Sequence, residues 1–203
     1  MPPRRTAAAL FTLVAGAALL GCGDADGARQ PAPQAHVRPT TAAPVPSATA
    51  SRPMPRSRPV RVRIPAAGVD AGGVLALGLA PDGTIEVPPV EQADRIGWYD
   101  KGVTPGETGP AVLVGHFDTA DGPAVLRDVA RIGAEDTISV TRADGTTADF
   151  RIREIEQVGK GAFPTRKVYG DTSRPELRLI TCGGDLVDGH RPDNIILYAD
   201  LIA

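Results

Sequence analysis

The chain has 203 residues, with 22 lysines and arginines against 24 aspartates and glutamates and a formal net charge of −2. A balance so close to neutral leaves no basic footprint for nucleic acid. Two cysteines and three histidines, with no second thiol near either cysteine and no close histidine pair, supply no metal ligand set, and no cofactor is expected.

Arg4 and Arg5 open the chain ahead of an apolar run from Ala7 to Leu20. A positive start and an apolar stretch of this length read as an export signal, too short for a comfortable membrane span. The run ends in Leu19-Leu20-Gly21-Cys22, followed by Gly23-Asp24-Ala25-Asp26. This resembles the lipobox of bacterial lipoproteins, which implies cleavage before Cys22 and lipidation of its thiol; the alternative is an uncleaved signal anchor. On either reading residues 1–22 tie the chain to a membrane by its N-terminus. The rest is then extracytoplasmic and faces the cell wall.

Residues 23–59 scatter prolines among Ala, Ser, Thr and Arg without apolar periodicity. Such a segment has too little apolar surface to offset its ordering entropy, so it reads as an unfolded, extended linker. At roughly 3.1 Å per residue its reach is on the order of 100 Å. His36 lies within it and is set aside as a candidate for chemistry.

Residues 60–203 are long enough for one domain with its own core. Arg61–Ile64 alternates polar and apolar. Val74–Leu79 and Thr84–Val87 flank the turn Pro81-Asp82-Gly83 and read as a hairpin. Ala111–Val114 is a strand buried on both faces. Thr137–Arg142 and Thr147–Ile152 flank Ala143-Asp144-Gly145-Thr146 as a second hairpin, and Leu177–Cys182 and Asn194–Ile202 complete the strands. Helical signal is thin: a short helix over Gly122–Val129 and a turn or two within Val90–Trp98. Many short strands with tight turns predict an all-β, closed or nearly closed barrel with one or two short helices.

The chemistry gathers at the end of Leu177-Arg178-Leu179-Ile180-Thr181-Cys182. If Cys22 is committed to lipid, Cys182 is an unpaired thiol in an exported chain, where cysteines usually pair. Antiparallel pairing of Leu177–Cys182 with the strand after Arg191 puts a thiol and a guanidinium at one end of a sheet. A thiol nucleophile also needs a group to pass a proton, and His116 follows the buried strand Ala111–Val114 directly. Asp118 and Asp121 stand close enough in sequence to orient the His116 imidazole. His190, in a loop beside cationic Arg191, is the weaker candidate. A fixed guanidinium suits the negative charge that acyl transfer builds on a carbonyl oxygen.

Leu177–Cys182 resembles the Leu-x-Thr-Cys motif of the sortases, Gly115-His116-Phe117-Asp118-Thr119 their histidine site, and Arg191 before Ile195–Ala199 their arginine strand. The order His, Cys, Arg agrees, and the resemblance is closest to the actinobacterial class F sortases. It implies an eight-stranded β-barrel and a cysteine transpeptidase acting on a Leu-Pro-x-Thr-Gly-like sorting signal at its Thr-Gly bond. Cys182 is then the nucleophile, His116 the acid and base, and Arg191 the stabiliser of oxyanion and substrate, with Thr181 shaping the substrate pocket. The implied partners are sorting-signal-bearing secreted proteins and an amine acceptor such as a cell-wall precursor. Pro192 departs from the pattern and is expected to shift the register where the arginine strand begins.

Other classes fit less well. An L,D-transpeptidase carries a histidine two residues before its cysteine, where this chain has Ile180, and NlpC/P60 peptidases place cysteine before histidine. A non-enzymatic lipoprotein module is the remaining alternative, with Cys182 an inert buried thiol.

Overall fold

The computed structural model of the protein describes residues 34–41 and 51–202. The expected export segment and Cys22 lie outside the described residues. Among the described residues no helix is long and apolar enough to cross a membrane.

Period-two alternation sets the faces of the first long strands. In β9 (Thr137–Arg142), Ile138 and Val140 are buried while Thr137, Ser139 and Thr141 stay partly exposed. In β2 (Pro59–Ile64), Val62 and Ile64 turn inward and Arg61 and Arg63 outward. The remaining strands are β1 (Thr40–Thr41), β3 (Val69–Gly72), β4 (Leu75–Leu77), β5 (Ile96–Tyr99), β6 (Gly109–Gly115), β7 (Asp118–Thr119), β8 (Gly122–Pro123), β10 (Thr147–Gly159), β11 (Pro175–Gly183) and β12 (Asp193–Leu201). One helix, α1 (Thr165–Tyr169), lies between β10 and β11.

A single curled sheet runs in the order β3-β2-β9-β10-β12-β11-β6-β5-β4, with β1 added to β10 and β7 paired only with β8. Its pairs are antiparallel except β6 with β11 and β4 with β5. The all-β, barrel-like architecture is the expected one. Its ten strands differ from the expected eight because β1, β3 and β5 join the sheet and Thr84–Val87 does not. That last segment keeps only the bridge Leu79–Ile85, since β4 pairs instead with β5.

Strands β6, β11 and β12 are buried on both faces, as their near-continuous apolar runs require. Inward, Leu113, Leu177, Leu179, Ile195 and Leu197 join the barrel core. Outward, Val112, Val114, Ile180, Ile196 and Tyr198 form a second cluster, capped by Val168 of α1 and flanked by Phe163, Tyr99 and Leu75. Each fully buried aliphatic side chain of this kind contributes roughly 1.5–3 kcal/mol.

A bulge in β10 falls between Ile152 and Glu154. The intervening Arg153 reaches Glu176 at 3.0 Å and Asp200 at 2.9 Å. Glu176 also pairs with buried Arg178 at 2.6 Å, so the charges on this outer face are matched. Burial pushes the Glu176 carboxyl up, but Arg178, Arg153 and Arg174 outweigh it and hold it below the usual carboxylate range.

The helix expected over Gly122–Val129 is not formed. The amides of Ala124, Val125 and Leu126 donate to Phe117, Ala93 and His116, so an i to i+4 ladder has no donors there. A 3₁₀ turn at Val129–Arg131 follows instead. A second 3₁₀ turn at Val90–Gln92 matches the expected turn, but Ile96–Tyr99 is strand because Ile96 and Trp98 bury against the sheet. Described parts of the expected linker make contacts: Met54 donates its amide to Gly106 at 2.8 Å, and the Arg142 guanidinium donates to the Pro55 carbonyl.

Candidate active site

Three strands converge on one end of the sheet. Cys182 pairs with Asn194 and Gly183 with Asp193 near the turn between antiparallel β11 and β12. The register holds to Asp193 despite Pro192, whose carbonyl accepts a bond from the Lys160 amide at 2.9 Å. Parallel to β11, β6 pairs Val114 with Ile180. Both chains run on in the same direction, so His116 and Cys182, each two residues further, reach the same level. Arg191 lies just ahead of β12, at the same end.

The His116 ring is held by the loop before β5. Its Nε2 lies 2.6 Å from the Pro88 carbonyl, which can only accept, so Nε2 carries the hydrogen and Nδ1 is the nitrogen left for proton exchange in the neutral ring. The backbone beneath it is tied down, His116 and Phe117 accepting the amides of Leu126 and Ala124. Gly115 is a glycine for steric reasons: a Cβ there would stand 2.8 Å from Leu126 Cδ1.

Arg191 is the most constrained of the three. Its Nε lies 3.0 and 2.9 Å from the two Asp118 carboxylate oxygens, and its Nη2 lies 2.6 Å from Oδ2. Nη1 donates to the Gly184 carbonyl at 2.5 Å, and the guanidinium carbon stands 4.5 Å from the centroid of the buried Phe117 ring. The Asp118 bonds raise the guanidinium's pKa further, against the opposing effect of burial. Of the five guanidinium N–H groups, these contacts leave one on Nη1 and one on Nη2 to donate elsewhere.

Cys182 is a free thiol, half-buried and packed against the barrel core. Thr181 beside it is buried opposite Ile195, and its hydroxyl meets no hydrogen-bond partner among the described residues. His190 is exposed in a tight turn closed on Val187. Asp118, expected beside the imidazole, instead holds the arginine, while Asp121 is exposed and donates its amide to the Thr119 hydroxyl. Sequence reading missed the Pro88 carbonyl, the Phe117 platform and the Asp118 clamp. Only the last left a signal, an acidic residue two places after the histidine. Among the described residues no His, Cys, Asp and Glu cluster is arranged to hold a metal.

A half-exposed thiol, an oriented imidazole and a clamped guanidinium at one sheet end suit nucleophilic attack on a carbonyl. The outer apolar cluster, buried beneath Val168 of α1, runs along β6 and β11 toward that end. The family model of the sortase domain matches residues 62–202. No curated protein matches the chain in sequence.

Solved structures share the fold. A sortase D5 transpeptidase of Clostridium perfringens aligns with a TM-score of 0.53 at 20% identity, over 72% of this chain and 79% of its own. Sortase C1 of Streptococcus agalactiae, in complex with MTSET, aligns at 0.54 and 15%, over 72% and 70%. A lid mutant of sortase A from Corynebacterium diphtheriae aligns at 0.54 and 16%, over 74% and 73%. The chain belongs to the sortase family of cysteine transpeptidases.

Proposed function

We propose that the chain cleaves a Leu-Pro-x-Thr-Gly-like sorting signal between Thr and Gly and transfers the new Thr carboxyl end to an amine. The observation that carries this reading is the convergence of Cys182 and clamped Arg191, flanking the β11–β12 turn, with His116 at the matching end of β6.

The Cys182 thiolate adds to the threonine carbonyl carbon, and the carbonyl electrons move to oxygen. The two undirected N–H groups of Arg191 meet that oxyanion or the neighbouring peptide carbonyl. Collapse breaks the C–N bond, and protonated His116 gives its proton to the departing glycine amine. The incoming amine then attacks the thioester carbon, yields its proton to His116, and expels the Cys182 thiolate as the new amide forms. Thr181, buried beside Cys182 and opposite Ile195, shapes the pocket by fixing the end of β11 that carries the nucleophile.

The same reading places the enzyme outside the cytoplasm, joined to the membrane through residues 1–22. Lipidation at Cys22 is the preferred form of attachment, and residues 60–203 form the catalytic domain. Its partners are secreted proteins bearing a sorting signal and a cell-wall precursor or other amine acceptor. The resemblance of residues 60–203 favours the actinobacterial class F subtype.

Two experiments test this reading. Cys182→Ala abolishes cleavage of a Leu-Pro-x-Thr-Gly peptide, and retained cleavage sinks the mechanism. Mass spectrometry of the membrane-bound protein finds a diacylglyceryl group on Cys22, whereas an intact segment from Met1 to Leu20 shows a signal anchor.

A further inference from the structure

We propose that residues 35–37 are a positioning latch for the loop that presents Arg191. This rests on the transpeptidase reading above. The segment lies along the edge of β10 that β9 leaves free, where Thr40 and Thr41 pair with Ile155 and Glu154.

Ala35 is 7% exposed and belongs to the barrel core. Its carbonyl accepts the Gly184 amide at 2.8 Å, while the Gly184 carbonyl accepts Nη1 of Arg191. One residue thus connects the segment to the arginine. Gln157 ties the same parts together from β10. Its Oε1 accepts the Val37 amide at 2.9 Å, and its Nε2 donates to Asp193, the first residue of β12, at 2.7 Å. His36 adds a bond to Asp185 at 3.0 Å within the loop itself.

The local sequence is fitted to this contact. A Cβ on Gly183 would stand 3.0 Å from the Ala35 carbonyl and 2.7 Å from Ile195. Gly184 has a φ of +82°, and a Cβ there would meet Asp193 and Pro192 at 3.0 and 3.1 Å. Two successive glycines let the segment and β12 close on the loop from both sides.

What the segment bonds to decides what it does. Ala35 and Val37 pack on the same barrel core that Cys182 borders, and their backbone bonds go to Gly184 and Gln157. The segment therefore holds the loop that presents Arg191. Releasing it lowers turnover; an inhibitory cover would raise it.

The test uses the full chain carrying Ala35→Asp, which sets a charge against the core, with Ala35→Ser as the conservative control. Two readouts are taken: hydrogen exchange at the Gly184 amide, and kcat and KM on a sorting-signal peptide. Ala35→Asp is expected to free the amide and lower kcat about tenfold, with KM changed less than threefold and the sheet retained by circular dichroism. Ala35→Ser retains both properties. If Ala35→Asp unfolds the chain, Gln157→Ala decides, with an expected loss of about threefold in kcat and faster Gly184 exchange. A protected amide in the folded variant, wild-type kcat with a freed amide, or increased turnover each overturns the latch. A wild-type chain inactive on sorting peptides defeats the proposed activity instead, and the exchange readout stands apart from it.

Discussion

Arg191 and Asp118 are locked side to side, with Nε 2.9 Å and Nη2 2.6 Å from the same carboxylate oxygen. The tripeptide that supplies His116 thus also supplies the platform and the counter-charge for the arginine, through Phe117 and Asp118. Histidine and arginine positions are mechanically linked as a result. A disturbance at either reaches the other.

Asp118 is therefore a positioning residue. Asp118→Asn keeps the shape but loses the charge, and is expected to lower kcat about tenfold with a smaller change in KM. Steady-state kinetics on a fluorogenic sorting peptide check this. Wild-type kcat in Asp118→Asn shows that the clamp is dispensable.

Arg191→Lys is not a conservative change here. An ammonium cannot bridge both Asp118 oxygens, stack on Phe117 and reach the Gly184 carbonyl together. Loss of one oxyanion donor costs on the order of 10²–10³ in kcat, and Arg191→Lys is expected to fall in that range, close to Arg191→Ala. Equal activity of Arg191→Lys and wild type means that charge alone suffices.

Gly115→Ala tests the packing beneath the histidine. The added methyl meets Leu126 at 2.8 Å inside a filled core. Overpacking of this kind costs about 1–3 kcal/mol. The melting temperature is expected to fall, and kcat more steeply, because His116 is the next residue. A variant that loses stability but keeps its kcat places the strain elsewhere.

The long strands were legible from sequence because their information is local. The β9–β10 hairpin has a turn between two alternating runs, and β11 and β12 are neighbours along the chain, so Cys182 and Arg191 fall at one end by pairing alone. Helix α1 has five residues, too few for a helical period to register. The parallel pairing of β6 with β11 joins segments distant in sequence. The Asp118–Arg191 clamp spans 73 positions, and no local pattern assigned that carboxylate to the arginine rather than to the nearby imidazole. His36, set aside within an expected linker, makes its bond to Asp185 across 149 positions.

Stability is expected to depend on Glu176. Glu176→Gln leaves Arg178, 2% exposed, without its charged partner, and breaking such a buried pair costs roughly 3–5 kcal/mol. Urea unfolding measures the loss. Because the folded-state carboxyl titrates below its unfolded value, its contribution is present above the ordinary glutamate range, near pH 4. It is lost as pH falls through the depressed folded value. Burial raises the Asp200 carboxyl instead, so Asp200 acts in the opposite sense as its carboxylate forms. An unchanged urea midpoint in Glu176→Gln contradicts the pairing argument.

The most direct measurement is intact-protein mass spectrometry after mixing the enzyme with a Leu-Pro-x-Thr-Gly peptide and no added amine. The account predicts a covalent adduct equal in mass to the acyl half of the peptide, mapped to Cys182 and lost on adding an amine. An adduct that survives in Cys182→Ala, or cleavage that proceeds in that variant, contradicts it.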